Sequence, residues 1–347
     1  HSNELCDFIV VNNGMVDWRN HQLVSWDPQM HTTVAFDLDY DPDATCPRFE
    51  KYISDWLPDP SVQAVIQEYL GYCLVPNTNF RKALFLYGKG KNGKSMLIEF
   101  LQDFFGSVAS NLSYDGLFAR FGPANLKDKL VNIFDDTTVS FTKETSVAKN
   151  LIAGGKISAE FKGKDMFSFT NVSRLIYSSQ ETPRTSDTTV AWYDRWFFIK
   201  FPNTFRSSNK VKAEIQHALL EERAGIFNWM LDGLTRLMEQ DHFSDSDTID
   251  IYSNQYRDQN DNVTQFVHAL CIEVKGEGIS IADLYDVYNV WISSEQLRPL
   301  SEKVFTQRVL DMGFEKGKTY YRGKTGTTES EEYQDHQLEI NLALNTP

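Results

Sequence analysis

Eight consecutive residues, Gly88-Lys89-Gly90-Lys91-Asn92-Gly93-Lys94-Ser95, spell G-x-x-x-x-G-K-[ST]. That spacing makes a loop whose backbone N–H groups converge on phosphate oxygens. Lys94 would reach the β- and γ-phosphates of a nucleoside triphosphate, and Ser95 would ligate Mg²⁺. Further on, Leu130-Val131-Asn132-Ile133-Phe134 leads into Asp135 and Asp136. A phosphate loop needs a carboxylate at such a strand end, opposite its hydroxyl. Asp135 would hold the metal, directly or through water, and Asp136 would orient or deprotonate the attacking water. Two acids ending a strand in solvent look the same, but their distance after the loop, about 40 residues, favours the catalytic reading. Leu175-Ile176-Tyr177-Ser178-Ser179-Gln180 is a second apolar run with a polar end. The Gln180 amide would contact the γ-phosphate and the water, or simply close a strand. Arg195, in Ala191-Trp192-Tyr193-Asp194-Arg195-Trp196, either forms a structural salt bridge or serves the γ-phosphate of a neighbouring subunit. Lys162-Gly163-Lys164 turns between two alternating flanks, which reads as a β-hairpin with lysines at its tip. On a ring such tips would grip strand phosphates. A solvated turn fits the pattern equally well.

The elements that must position these groups follow from periodicity. Ala83 to Tyr87 reads as a buried strand before the loop, and Met96 to Phe105 as a helix after it. Strands and helices alternate from Phe80 to Phe201, which predicts an α/β P-loop core with a mainly parallel sheet over 76–205. Residues 1–75 read as a mainly helical N-terminal region. Asn12-Asn13-Gly14 marks a turn, Arg48 to Leu57 a helix, and Ser61 the N-cap of a second helix to about Leu74. Residues 206–258 read as a helical lid or linker. Its apolar face carries Ile215, Leu219, Ile226, Leu231 and Leu234, and a polar stretch covers Asp241 to Asp250. Residues 259–347 suggest helices over 264–274, 280–293 and 301–312, then strands near Tyr320-Tyr321-Arg322 and over 338–342. That order suggests a winged helix-turn-helix, with 323–335 as a mobile wing loop.

The chain has 347 residues, enough for two or three domains. Its net charge of −14 argues against a surface coated for nucleic acid, although a local basic channel remains compatible. No apolar run reaches the length of a membrane span. Four scattered cysteines and seven histidines without ligand spacing predict a reducing, cytoplasmic setting and no zinc. The start at His1-Ser2-Asn3-Glu4 reads as a segment cut from a longer protein, with a tag residue at His1.

Taken together, the ordered motifs resemble the superfamily 3 helicases, in particular the phage, plasmid and poxvirus primase-helicases. Gly88–Ser95 is similar to the first motif and Asn132 to Asp136 to the second. Gly154-Gly155-Lys156 through Phe169 resembles the hairpin motif, Ile176 to Pro183 the third, and Asp194-Arg195-Trp196 the arginine finger. Tyr40-Asp41-Pro42 and Cys46-Pro47-Arg48-Phe49 upstream, and Phe305 to Phe314 downstream, extend the resemblance over nearly the whole chain. Two positions depart from it. Gln180 stands where the family has Asn, and Asp194 where relatives often carry a second basic residue. The resemblance implies an AAA+ core in a hexameric ring, with ATP and Mg²⁺ bound between subunits and single-stranded DNA drawn through the channel. It also implies an N-terminal primase-polymerase preceding this segment. Two other classes stay open: a P-loop ATPase that does not translocate, and an origin-binding or loading module.

Overall fold

The computed structural model describes residues 8–26, 34–135, 145–185, 187, 189–205, 209–271, 278–295, 299–316 and 321–322. They divide into two compact units, His1–Tyr256 and Arg257–Pro347.

The first unit opens with an antiparallel meander of β1 (Phe8–Val11), β2 (Gly14–Asp17) and β3 (Gln22–Val24). Val11 pairs with Gly14, so the expected Asn12-Asn13 turn joins the first two strands. This small sheet precedes the helices expected in the N-terminal region. α1 (Pro47–Trp56) buries Phe49, Ile53 and Trp56 at helical spacing. α2 (Pro60–Tyr72) has its cap two residues before the one expected at Ser61. Asp59 is the N-cap and its carboxylate accepts from Ser61 N at 2.8 Å, while Pro60 takes the first helical position.

The central sheet is entirely parallel, as expected for the α/β core. Its strands are β4 (Ala83–Tyr87), β5 (Ala109–Ser110), β6 (Val131–Phe134), β9 (Arg174–Ser179) and β10 (Trp196–Lys200), in the order β10-β4-β9-β6-β5. Alternate residues serve opposite faces. Leu84, Leu86, Ile133, Ile176 and Ile199 join one apolar core with α3 (Lys94–Phe105), α1 and α2. Ala83, Phe85, Leu175, Tyr177, Trp196 and Phe198 join a second on the other face. Burial on both faces explains why these strands read as continuous apolar runs.

Between β6 and β9 come α4 (Ser146–Ile152) and a two-stranded antiparallel hairpin of β7 (Lys156–Ala159) and β8 (Phe167–Thr170). α5 (Val190–Tyr193) then leads into β10. After the sheet, α6 (Asn209–Glu221) and α7 (Arg223–Gln240) bring the chain back to α2. The α2–α7 approach is close: a Cβ at Gly71 would sit 2.3 Å from Met230 O, and one at Gly233 would sit 2.3 Å from Gln67 O. Glu68 is fully buried at this contact and accepts from Arg236 Nε at 2.7 Å and Ser244 N at 2.8 Å.

The polar stretch expected to reach Asp250 is cut short by α8 (Asp247–Asn260). Ser246 accepts from Ile249 N at 3.3 Å, and acids in the first turn suit a helix N-terminus. In the second unit α9 (Asn262–Leu270), α10 (Ile281–Ser294) and α11 (Glu302–Asp311) pack around Phe266, Tyr288 and Phe305. A short ladder joins β11 (Glu315–Lys316) to β12 (Tyr321–Arg322). The strand expected over 338–342 and the wing loop over 323–335 lie outside the described residues. No helix among the described residues is long and apolar enough to cross a membrane.

Candidate active site

The phosphate loop leaves β4 and enters α3 at Lys94, the strand–loop–helix context the motif requires. Gly93 caps α3 with φ +94°, a conformation that disfavours any side chain. Space forbids one as well, since a Cβ there would sit 2.4 Å from the Trp56 ring. The end of α1 therefore forms the floor of the loop. Its far side is pinned by Phe205 N, which donates to Lys91 O at 2.7 Å, and by Phe201 N, which donates to Tyr87 O at 2.8 Å. Lys94 is buried, and its ammonium donates to Gly88 O at 2.6 Å and Asn92 Oδ1 at 3.2 Å. Lys89, Gly90, Lys91 and Ser95 are exposed. A glycine-capped helix start and a lysine folded along the loop form an anion cradle.

Strand register brings the other groups to the same edge. Tyr87 pairs with Ser179 and Phe134 with Tyr177, so Gly88, Gln180 and Asp135 all follow the carboxyl ends of adjacent strands. Neighbouring strands lie about 4.8 Å apart, so with β9 between them the ends of β4 and β6 are roughly 10 Å apart. A phosphate chain with its metal fits across that gap. Asp135 is half-buried and accepts a hydrogen bond from the Ser178 hydroxyl. The Ser95 hydroxyl and Asp135 carboxylate are hard oxygen donors, suited to Mg²⁺ completed by phosphate and water. Among the described residues no cluster of three or more His, Cys, Asp or Glu could hold a metal alone. Asp136 lies outside the described residues.

Arg195 is not with them. It precedes β10, whose Trp196 pairs with Ala83, and its carbonyl accepts from Ala83 N at 2.8 Å. It therefore sits level with Lys82, at the amino edge of the sheet. At about 3.3 Å per residue, the span from position 82 to 88 along β4 is roughly 20 Å. An arginine side chain cannot cover that distance to its own phosphate loop. One guanidinium nitrogen donates to Ala191 O, and Nε is buried without a hydrogen-bond partner among the described residues. Lys82 shares this edge with its ammonium 4.7 Å over the Phe197 ring. Burial lowers the Lys82 pKa, and Asp194 and Asp250 act in the opposite direction.

The segment before α5 is tied down by Asp187. Its carboxylate accepts from Lys149 Nζ at 2.6 Å, from Thr189 N at 3.0 Å and from Thr145 Oγ1. Burial alone would raise this carboxyl, but those bonds outweigh it and lower the pKa to about 2. α4 and the Arg195 segment are thus held together. Lys162 and Lys164 are exposed at the hairpin tip, as the sequence predicts. Lys164 N donates to Phe161 O at 2.9 Å and Gly163 has φ +77°, which closes the turn.

Two residues of this site escaped sequence reasoning. Ser178 stands in the third motif, but only register reveals that it faces Asp135. Trp56 sits in a helix with no motif and meets the loop only through tertiary packing.

Three families match parts of the chain. Residues 3–58 match a family described as D5 N terminal like, residues 86–195 a family of unknown function (DUF5906), and residues 258–338 one described as Poxvirus D5 protein-like. Both flanks of the core thus match D5-type families, in keeping with the superfamily 3 primase-helicase resemblance. No curated protein matches the chain. Among solved structures, the A form apo structure of the NrS-1 C terminal region is similar at 14% identity and TM-score 0.50, over 88% of this chain and 64% of that one. A second structure of that region, covering 305-718, matches at 15% identity and TM-score 0.49, over 78% and 63%. This chain therefore spans under two thirds of the length of these relatives, and at such identity the likeness concerns fold.

Proposed function

We propose that this chain is the ATP-driven motor of a replicative DNA helicase, an AAA+ core with a winged-helix module. It works as a hexameric ring on single-stranded DNA, in the cytoplasm of a host cell, as part of a longer primase-helicase. One observation carries this reading: the cradle, Asp135 and Gln180 share one sheet edge, while Arg195 lies roughly 20 Å away at the other. A lone protomer has the phosphate site and lacks the second charge. A head-to-tail ring supplies it, because each protomer then offers its amino edge to the carboxyl edge of the next. Lys94 and the loop N–H groups would hold the phosphates, Ser95 and Asp135 would hold Mg²⁺, and Asp136 with Gln180 would orient the water. When bound, the metal would supply charge neutralisation at the phosphates. Arg195 of the adjacent protomer stabilises that same charge. The hairpin lysines engage strand phosphates, so hydrolysis is linked to strand movement.

Hydrolysis measured with and without single-stranded DNA, alongside imaging of the particle, tests this reading. Strand-stimulated hydrolysis by a ring is expected. Full hydrolysis by a particle that stays monomeric with nucleotide and strand overturns it.

A further inference from the structure

We infer that Asp187 is a positioning residue that ties Arg195 to α4, the helix leading into the hairpin, so that a strand held by one protomer sets turnover at the nucleotide of its neighbour. This rests on the ring reading above and deepens it by naming a route of regulation.

The route is continuous, and its first joint is packed tightly. At the base of the hairpin Asn171 is fully buried, and its side-chain amide donates to Leu151 O in α4 at 2.8 Å and to Ser173 O at 2.9 Å. Asn171 N donates to Gly155 O at 3.2 Å, and Gly155 N donates to Asn150 O at 2.9 Å. The link from α4 to β7 has no room for side chains. A Cβ at Gly154 would sit 2.0 Å from Thr78 Oγ1, and one at Gly155 would sit 1.8 Å from Asn150 Oδ1. Close-packed contacts of this kind transmit displacement rather than absorb it, so α4 follows the base of the hairpin.

The second joint is polar. Asp187 reaches α4 through Lys149 Nζ at 2.6 Å and through Thr145 Oγ1. It reaches the start of α5 through Thr189 N at 3.0 Å and Thr189 Oγ1 at 2.6 Å. A local turn ahead of α5 needs only the Thr189 bonds, which span two residues. The bonds to Lys149 and Thr145 span 38 and 42 residues and add nothing to that turn. The ion pair is shielded, with the Lys149 side chain 25% exposed and that of Asp187 10%, so salt screens it little. α5 then passes to the arginine: Arg195 N donates to Trp192 O at 3.2 Å and its guanidinium to Ala191 O. One carboxylate thus holds both the helix before the hairpin and the helix before Arg195. Contiguous packed and hydrogen-bonded elements can carry coupling between distant sites. Because Arg195 serves the adjacent nucleotide, the displacement is read across the seam.

Lys149→Ala cuts the joint to α4 and leaves Asp187 on Thr189, which makes it the test. Oligo-dT affinity by anisotropy and strand-free hydrolysis should match the original chain. The ratio of oligo-dT-stimulated to strand-free hydrolysis should fall by about 3-fold or more. Lys149→Arg keeps a cation of similar reach and should retain the ratio, whereas Lys149→Met should lose it. Mixed rings give the direction. In rings of Lys94→Ala and Arg195→Ala chains, only seams with the arginine of the first and the cradle of the second turn over. Lys149→Ala added to the Lys94→Ala chain should remove stimulation, and added to the Arg195→Ala chain it should leave stimulation in place. Equal loss in both placements, or loss in the second alone, overturns the inference. So does a ratio that holds in Lys149→Ala, whether both rates stay or fall together, because the ion pair is then only structural. If the original chain is not stimulated by strand, or the mixed rings are inactive before Lys149 is changed, the ring reading itself fails and the inference falls with it.

Discussion

Replacing Arg195 with alanine separates a charge that acts between protomers from one that acts within a protomer. Arg195 is level with Lys82 in the sheet, because Trp196 pairs with Ala83. The span to Gly88 is six residues of strand, roughly 20 Å, several times the reach of its side chain. Nucleotide affinity of Arg195→Ala should therefore stay near that of the original chain. Turnover should fall by about 10³-fold or more, the usual effect of losing a charge aimed at the transferred phosphoryl group. Mixing is the sharper assay. Combine Arg195→Ala with Lys94→Ala in equal amounts and let rings reassemble. A working seam then needs its cradle from the first variant and its arginine from the second, so roughly a quarter of seams are competent in a head-to-tail ring. Steady-state hydrolysis should recover to about that fraction of the original rate. A mixture no more active than its components, after exchange is verified by mass, would refute action across the seam.

Lys94→Ala removes the ammonium that donates to Gly88 O and Asn92 Oδ1. Hydrolysis should drop by roughly 10²-fold or more, and retained turnover in a purified sample counts against the cradle. Ser178→Ala removes the hydroxyl that donates to Asp135. The Mg²⁺ concentration giving half-maximal hydrolysis should rise about 10-fold with ATP affinity little changed, and an unaltered Mg²⁺ profile would deny Ser178 an orienting role. The Asp187 carboxyl is lowered from 3.8 to about 2 in the folded chain. Its contribution, about 2 kcal/mol, is complete above pH 4 and lost as the pH falls toward 2. Denaturant melts at pH 5 and pH 3 should show about half of that loss, and Asp187→Asn should abolish this part of the difference; an equal difference in both proteins would rule it out.

The chemistry-bearing loop could be read from sequence because its residues are contiguous. Gly88 to Ser95 sit between a five-residue apolar strand and an apolar-striped helix, and both elements formed where periodicity put them. The same holds for the hairpin around Lys162 and Lys164, whose alternating flanks fix its tip. Local signals misled where two were in competition. Ser61 looked like the cap of α2, but Asp59 with Pro60 starts the helix earlier. The polar run from Asp241 hid the start of α8, because acids suit both a linker and the first turn of a helix.

Strand order was beyond the sequence, because it depends on which apolar runs pair at long range. The tertiary structure alone inserted β9 between β4 and β6, and so brought Ser178 against Asp135 and Gln180 level with Gly88. It alone set β10 beside β4 in parallel, which carries Arg195 to the edge opposite the phosphate loop of its own chain. The packing of Trp56 under Gly93 likewise joins residues 37 positions apart. Sequence named the groups through their spacing along one chain. Distance between strands decided which groups meet, and the roughly 20 Å that separates Arg195 from its own cradle is a property of register.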